Sequence, residues 1–75
     1  GKNMEKIQKT RDEVLNQDYI TPQDLKIIMP TLGINNCIEI IREIRNDMKE
    51  QNLFVPNSKP LLALTRVAKK KLGLR

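Results

Sequence analysis

The 75-residue chain has no histidine and no tryptophan, and Cys37 is its single cysteine. An internal disulfide needs two cysteines and zinc sites combine several cysteine or histidine ligands, so the sequence excludes both. The commonest general base is also missing, and the carboxylates Glu39 and Glu43 have no second ligand-bearing helix to complete a di-metal site. We therefore expect no enzyme, metal or cofactor. Cys37 is interpreted as a small buried hydrophobe in a reducing compartment.

Other absences narrow the class of protein further. No apolar run is long enough to cross a bilayer and no signal-peptide pattern opens the chain, so we expect a cytoplasmic protein without a membrane partner. Three glycines cannot form a glycine-rich phosphate loop. Tyr19 and Phe54 are the only aromatic residues. They provide no stacking platform for single strands, which favours duplex DNA as the nucleic-acid ligand.

Positive charge is concentrated near the C-terminus. The formal net charge is +5. Residues 1–50 sum to −1, whereas residues 51–75 carry six basic side chains and no acid. Such a concentration is typical of a surface that binds a polyanion, although a solvated lysine-rich tail has the same composition.

The first half of the chain contains two predicted helices. Apolar spacing predicts a weakly amphipathic helix from Met4 to Asn16. The sequence Thr21-Pro22-Gln23-Asp24 combines a capping hydroxyl, a proline at the first helical position and an acid at the third. It predicts a helix over residues 23–29, and Tyr19-Ile20 before it is predicted as a short strand or a hydrophobic anchor. Gly33 is expected to take a positive φ in the turn that follows.

The second half contains a long helix and an extended segment. A helix is predicted from Asn35 or Asn36 to residue 51, because Asn36 and Glu39 have capping-box spacing. Its apolar stripe contains Ile34, Cys37, Ile38, Ile41, Ile44 and Met48. The apolar runs 53–55 and 61–64, separated by a proline-fenced turn, predict a hairpin. Thr65 is the predicted cap of a helix over residues 66–72 that ends at Gly73.

This order of elements predicts a mainly α fold with a small β-hairpin, a winged helix-turn-helix. One domain would contain an N-terminal helix (1–17), the helix-turn-helix (21–52), the wing (53–64) and a C-terminal helix (65–73). In this fold the second helix presents its N-terminal residues to base edges, while the wing lies along the DNA backbone.

The predicted DNA contacts follow from these positions. Asn35, Asn36 and Arg42 lie on the helix offered to the major groove, where asparagine pairs with adenine and arginine with guanine. Both asparagines are equally suited to cap the helix. Lys59 at the wing tip and Arg66, Lys69 and Lys70 on the last helix are predicted phosphate contacts. Glu39 and Glu43 weaken this prediction, since acids on the same face would repel phosphates.

From Tyr19 onward the chain carries Asp24-Leu25, Leu32-Gly33, Ile40-Ile41-Arg42-Glu43, Asn57, Lys59, Leu61, Val67 and Leu72-Gly73. In these residues it resembles short proteins encoded beside integrases on conjugative transposons and phages of Gram-positive bacteria. The layout is also similar to that of excisionases, from which this chain departs by its N-terminal helix and its longer recognition helix. The resemblance implies an architectural role at an attachment site, bending or bridging DNA beside an integrase.

Two other functions fit the same sequence. A winged-helix transcriptional regulator of a mobile element would differ only in the DNA that it meets. A protein-binding inhibitor or adaptor could use the same fold without touching DNA. The location of the basic side chains on the folded surface separates the two DNA-binding functions from the protein-binding one.

Overall fold

The computed structural model describes residues 9–74, which form a mainly helical chain with one small antiparallel sheet. The elements in chain order are α1 (Arg11–Leu15), β1 (Tyr19–Ile20), α2 (Pro22–Ile28), α3 (Ile34–Glu50), β2 (Ala63–Leu64) and α4 (Thr65–Leu72).

Helix α1 begins later than the sequence pattern predicts. The hydroxyl of Thr10 accepts a hydrogen bond from the Glu13 amide at 3.1 Å, and the Glu13 carboxylate accepts one from the Thr10 amide at 2.8 Å. This capping box makes Thr10 the N-cap. The predicted start at Met4 lies outside the described residues. Val14 and Leu15 are buried and dock the short helix onto the rest of the chain.

The start of α2 confirms the capping pattern of Thr21 to Asp24. The Thr21 hydroxyl accepts from the Asp24 amide at 3.1 Å, and Oδ2 of Asp24 accepts from the Thr21 amide at 3.1 Å. Pro22 takes the first helical position, where its missing amide hydrogen costs nothing. The helix ends at Ile28, just before the residue that precedes Pro30.

The turn between α2 and α3 corrects two predictions. Gly33 has φ −72° and ψ 159°, an ordinary extended conformation, so the predicted positive φ is wrong. Gly33 is itself the N-cap and makes no side-chain capping bond. The Cys37 amide donates to the Gly33 carbonyl, so α3 begins at Ile34 and neither Asn35 nor Asn36 caps it. The ammonium of Lys26 closes the turn by donating to the Leu32 carbonyl at 2.7 Å.

Helix α3 supplies the centre of the core. Cys37, Ile41, Ile44 and Met48 have no exposed surface, which confirms most of the predicted stripe. Ile34, at its N-terminal end, is instead 37% exposed. Burial raises the pKa of the Cys37 thiol, although the charge of Lys26 opposes the shift, so this cysteine is a packing residue. The other buried side chains of the core pack around α3. They are Val14, Leu15, Ile20, Leu25, Ile28, Ala63, Val67 and Ala68.

The predicted hairpin is wrong. Residues 53–62 contain no strand, and Ala63–Leu64 pairs with Tyr19–Ile20, with Ile20 opposite Ala63. The Thr65 amide extends this pairing by donating to the Asp18 carbonyl at 2.9 Å. Pro56 and Pro60 have no amide hydrogen to donate to a ladder, which disfavours the predicted hairpin.

Two further details concern the ends of α4. Thr65 is its first residue instead of its cap, and its buried hydroxyl has no hydrogen-bond partner in the described part of the chain. At the other end, Gly73 has φ 71° and forms the left-handed C-cap that the sequence predicts.

Residues 53–62, here called the return loop, run out and back beside α3. At one end the Leu53 amide donates to the Met48 carbonyl at 2.8 Å. Asn52 makes the preceding turn with φ 61°, a conformation that asparagine tolerates better than most residues. Further along the loop, Lys59 and Leu61 share a surface with Ile38. Ile38 precedes Met48 by ten residues, which is about 15 Å along the helix. The loop therefore covers one side of α3 without forming a ladder.

Candidate nucleic-acid interface

The return loop and α4 lie on opposite sides of α3. The Arg45 guanidinium donates to the Leu62 carbonyl of the loop at 2.8 Å. Asp47, two residues further, accepts from the Lys71 ammonium of α4 at 2.9 Å. Successive helical residues are separated by about 100°, so these two side chains leave α3 about 200° apart. Each side of the helix therefore faces a different element.

The charges of α3 are divided between the same two sides. Arg42, Arg45 and Lys49 follow spacings of three and four and form a basic stripe beside the loop. The acidic stripe, toward α4, contains Glu39, Glu43, Asp47 and Glu50. Glu39, the acid nearest Arg42 at the N-terminal end, is displaced from it by about 60° around the helix. Of the two acids that weaken the sequence prediction, Glu43 lies about 100° from Arg42 toward α4, whereas Glu39 lies one turn from Arg42 and stays close to the basic stripe.

Arg42 and Lys59 come together on one concave surface. This α3–loop surface is lined by Pro22, Gln23, Ile38, Arg42, Lys59, Pro60 and Leu61. Arg42 and Lys59 are exposed, and neither forms an ion pair within residues 9–74. The Ser58 hydroxyl donates to the Pro60 carbonyl at 3.1 Å and closes the loop tip that carries Lys59. Two cations from distant parts of the sequence are therefore available to one ligand.

Arg45 has a different role from Arg42. Its side chain is half-buried and its guanidinium is occupied by the Leu62 carbonyl. It holds the C-terminal end of the return loop against α3, and so helps to place Lys59 beside Arg42. Lys49, at the end of the basic stripe, is exposed.

Asn35 and Asn36 are both exposed in the first turn of α3. Asn35 precedes Arg42 by seven residues, so the two side chains project from nearly the same side, about 20° apart. Asn36 lies about 120° from Arg42, toward the acidic stripe. Only Asn35 of this predicted pair shares a direction with Arg42.

The predicted contacts on α4 lie elsewhere. Arg66 and Lys69 line a separate groove with Leu15, Asp18 and Tyr19 at the beginning of α4. That groove shares no lining residue with the α3–loop surface.

Lys70 lines another surface, with Asp47, Gln51 and Lys71. The hydrogen bond with Asp47 raises the pKa of Lys71, and the charges of Asp47, Glu43 and Glu50 act in the same direction. Lys70 therefore shares its surface with one acid, Asp47, whose charge opposes phosphate binding there. The seven predicted contacts divide among several surfaces instead of forming one.

Gln23 is a surface residue that the sequence prediction missed. It lies at the second position of α2, exposed, and lines the same surface as Arg42 and Lys59. The available signal was its polar side chain in the first turn of α2, three residues before the exposed Lys26 on the same side of the helix.

The described residues contain neither a metal-binding cluster nor a membrane-spanning helix. Residues 9–74 contain no group of three or more histidine, cysteine, aspartate or glutamate side chains placed to hold a metal ion. Within the same residues, no helix combines the length and the apolar character that a membrane crossing requires.

Comparison with known proteins adds no relative to this description. The chain matches no protein-family model, no curated protein and no solved structure.

Proposed function

We propose that the chain binds double-stranded DNA through the α3–loop surface, as a winged helix-turn-helix whose wing is the return loop. Helix α2 supports α3, and α3 enters the major groove with Asn35 and Arg42 toward the bases. Lys59 at the loop tip meets a phosphate. The observation that carries the proposal is that Arg42 and Lys59, exposed and unpaired in the described structure, line one concave surface.

The charge distribution on α3 supports this orientation. A helix entering the groove with its basic stripe turns most of its acids toward α4, where Asp47 is already paired with Lys71. Gln23 extends the surface with a neutral hydrogen-bonding group at the first turn of α2. Arg66 and Lys69 are assigned to a second phosphate contact, and Lys70 contributes least because Asp47 lies on the same surface.

Within DNA binding, the resemblance to excisionases favours an architectural role at an integrase attachment site over transcriptional regulation. Footprinting on duplexes from the genetic neighbourhood separates these roles. Protection confined to an attachment site supports the architectural role, whereas protection of a promoter supports regulation.

Phosphate binding predicts a steep loss of affinity with salt. Lys59→Gln should make the plot of log affinity against log salt less steep, by about 0.9 in slope, because one counterion fewer is released. The effect should be similar on specific and random duplexes, since a phosphate contact reads no sequence. Fluorescence anisotropy titrations at several salt concentrations measure both quantities.

Lys71→Gln is the matched control, because that ammonium is paired with Asp47 and lies on the α4 side. Its salt slope should remain near that of the parent. Weak, salt-independent association with every duplex would overturn the proposal and favour the protein-binding adaptor.

Base reading predicts a different pattern for Asn35 and Arg42. Asn35→Ala or Arg42→Ala should narrow the difference between specific and random duplexes by about 1–3 kcal/mol for each lost base contact. Asn36→Ala is the control, because its side chain leaves α3 about 120° from Arg42. The same titrations, run on a selected site and on a scrambled one, give the comparison. Equal specificity loss in Asn36→Ala would contradict the orientation proposed for α3.

A further inference from the structure

Phe54, on the return loop, is the most exposed large hydrophobic side chain in the described structure. It is 74% exposed, whereas its neighbours Leu53 and Val55 are half-buried and pack against the core. In extended backbone, alternate side chains point to opposite sides, so anchoring residues 53 and 55 inward directs residue 54 outward. The phenyl ring is thus presented to solvent by a segment fixed on both sides of it.

The segment that carries Phe54 contains one cation, Lys59, and no acid. Residues 51–62 contain no acidic side chain, and the loop lies beside the basic stripe of α3. Phe54 precedes Lys59 by five residues, so their Cα atoms lie at most about 17 Å apart. At about 3.4 Å per base-pair step, that distance corresponds to about five base pairs. The spacing allows a duplex that runs along α3 to contact Lys59 near one end of the helix and the Phe54 ring near the other.

We propose that Phe54 inserts between two base pairs of the bound duplex and kinks it. This inference rests on the proposed DNA binding. Apolar side chains that enter a base step from the minor groove unstack it and bend the helix by about 20–90°. One aromatic ring is sufficient for such a wedge, whereas sequential stacking on single strands needs several.

Self-association of two chains through Phe54 explains the exposed ring less well than insertion into DNA. A stable interface buries about 800 Å² on each partner, and one phenylalanine supplies about 150–250 Å². The other exposed large hydrophobic in the described residues is Ile34, at 37%. Asn52, Asn57 and Lys59, within five residues of Phe54 in the sequence, are polar and exposed. The available apolar area is that of a single inserted side chain.

The test measures bending separately from binding. The probe is a mixed-sequence duplex of about 30 base pairs, with donor and acceptor dyes at its ends and 2-aminopurine at its TA steps. The parent chain should raise energy transfer between the ends and 2-aminopurine fluorescence, which reports unstacking. Phe54→Ala should lose both signals while its salt slope stays near that of the parent. Phe54→Leu should retain most of both, because leucine also forms a wedge.

The outcomes separate the wedge from DNA binding itself. Salt-dependent binding of the parent without bending or unstacking overturns the wedge alone, as does full bending by Phe54→Ala. Absence of duplex binding by the parent overturns both proposals. Sedimentation velocity on the parent and Phe54→Ala tests whether the ring instead mediates self-association. A dimer that becomes monomeric in Phe54→Ala, with unchanged bending, would assign the ring to self-association and overturn the wedge.

Discussion

Replacing Ile41 with alanine is expected to lower the free energy of unfolding by about 2–5 kcal/mol. Ile41 has no exposed surface and lies midway along the buried side of α3. Its truncation leaves a cavity where α2, β2 and α4 all pack against this helix. Domains of this length are stable by about 4–11 kcal/mol, so the variant should melt at much lower denaturant concentration.

Ile34→Ala is the matched control on the same helix, because that side chain is 37% exposed. Urea denaturation followed by circular dichroism compares both variants with the parent at equal slope of unfolding. Midpoints that coincide for Ile41→Ala and Ile34→Ala would show that the buried side of α3 has been assigned incorrectly.

Asp24→Asn is expected to cost about 2 kcal/mol at neutral pH, from the loss of charge-assisted hydrogen bonds. Asp24 as a whole residue is 5% exposed. It accepts from the Lys9 ammonium at 3.0 Å, from the Gln17 amide at 3.0 Å and from the Thr21 backbone amide at 3.1 Å. An asparagine amide in the same place turns one of its own donors toward these donors, so at least one bond is lost.

The cost should depend on pH in a defined direction. Burial by itself raises the pKa of Asp24, but the hydrogen bonds from Gln17, Lys9 and Thr21, with the charge of Lys9, outweigh it and lower the pKa below the ordinary 3.8. The unfolded chain therefore binds the proton first as the pH falls. The stabilisation is complete above pH 3.8 and is lost as the pH falls from there through the lower folded pKa.

Denaturation of the parent and Asp24→Asn across this range gives the measurement. The difference between them should be constant near neutral pH and shrink in acid. Thr21→Ala, which removes the other half of the capping box, should cost about 1 kcal/mol at every pH because threonine does not titrate. A difference for Asp24→Asn that grows in acid would contradict the direction of the pKa shift.

Local sequence patterns were sufficient at several places, although the local predictions for Gly33, Asn36 and Thr65 are wrong. Thr21, Pro22 and Asp24 predict the start of α2 because a capping box joins groups three residues apart. Gly73 predicts the end of α4 because the left-handed conformation costs glycine little. The buried side of α3 follows from the helical period, which carries Cys37 through Met48 into the core.

The candidate site was predicted only in part. Asn35 and Arg42 could be placed on one side of α3 from spacing alone, because a helix fixes their relative direction. Spacing could not show that Lys59 lies beside Arg42, or that Lys70 lies beside Asp47. Each of these pairings depends on which side of α3 the loop or α4 covers. Charge counted along the sequence gives the amount of positive charge and does not give its distribution in space.

The tertiary structure alone decided how the strands pair. Two apolar runs around a proline-fenced turn predict a hairpin, yet Ala63–Leu64 pairs with Tyr19–Ile20, more than forty residues earlier. Such a pairing is selected by packing: Ile20 and Ala63 are both fully buried, and the pair closes the core over Met48, whose sulfur lies 3.4 Å from the Leu64 amide. Local patterns specify which segments are apolar or capped. Burial against distant elements selects which segments pair. The free energy of this burial is gained only when the core forms.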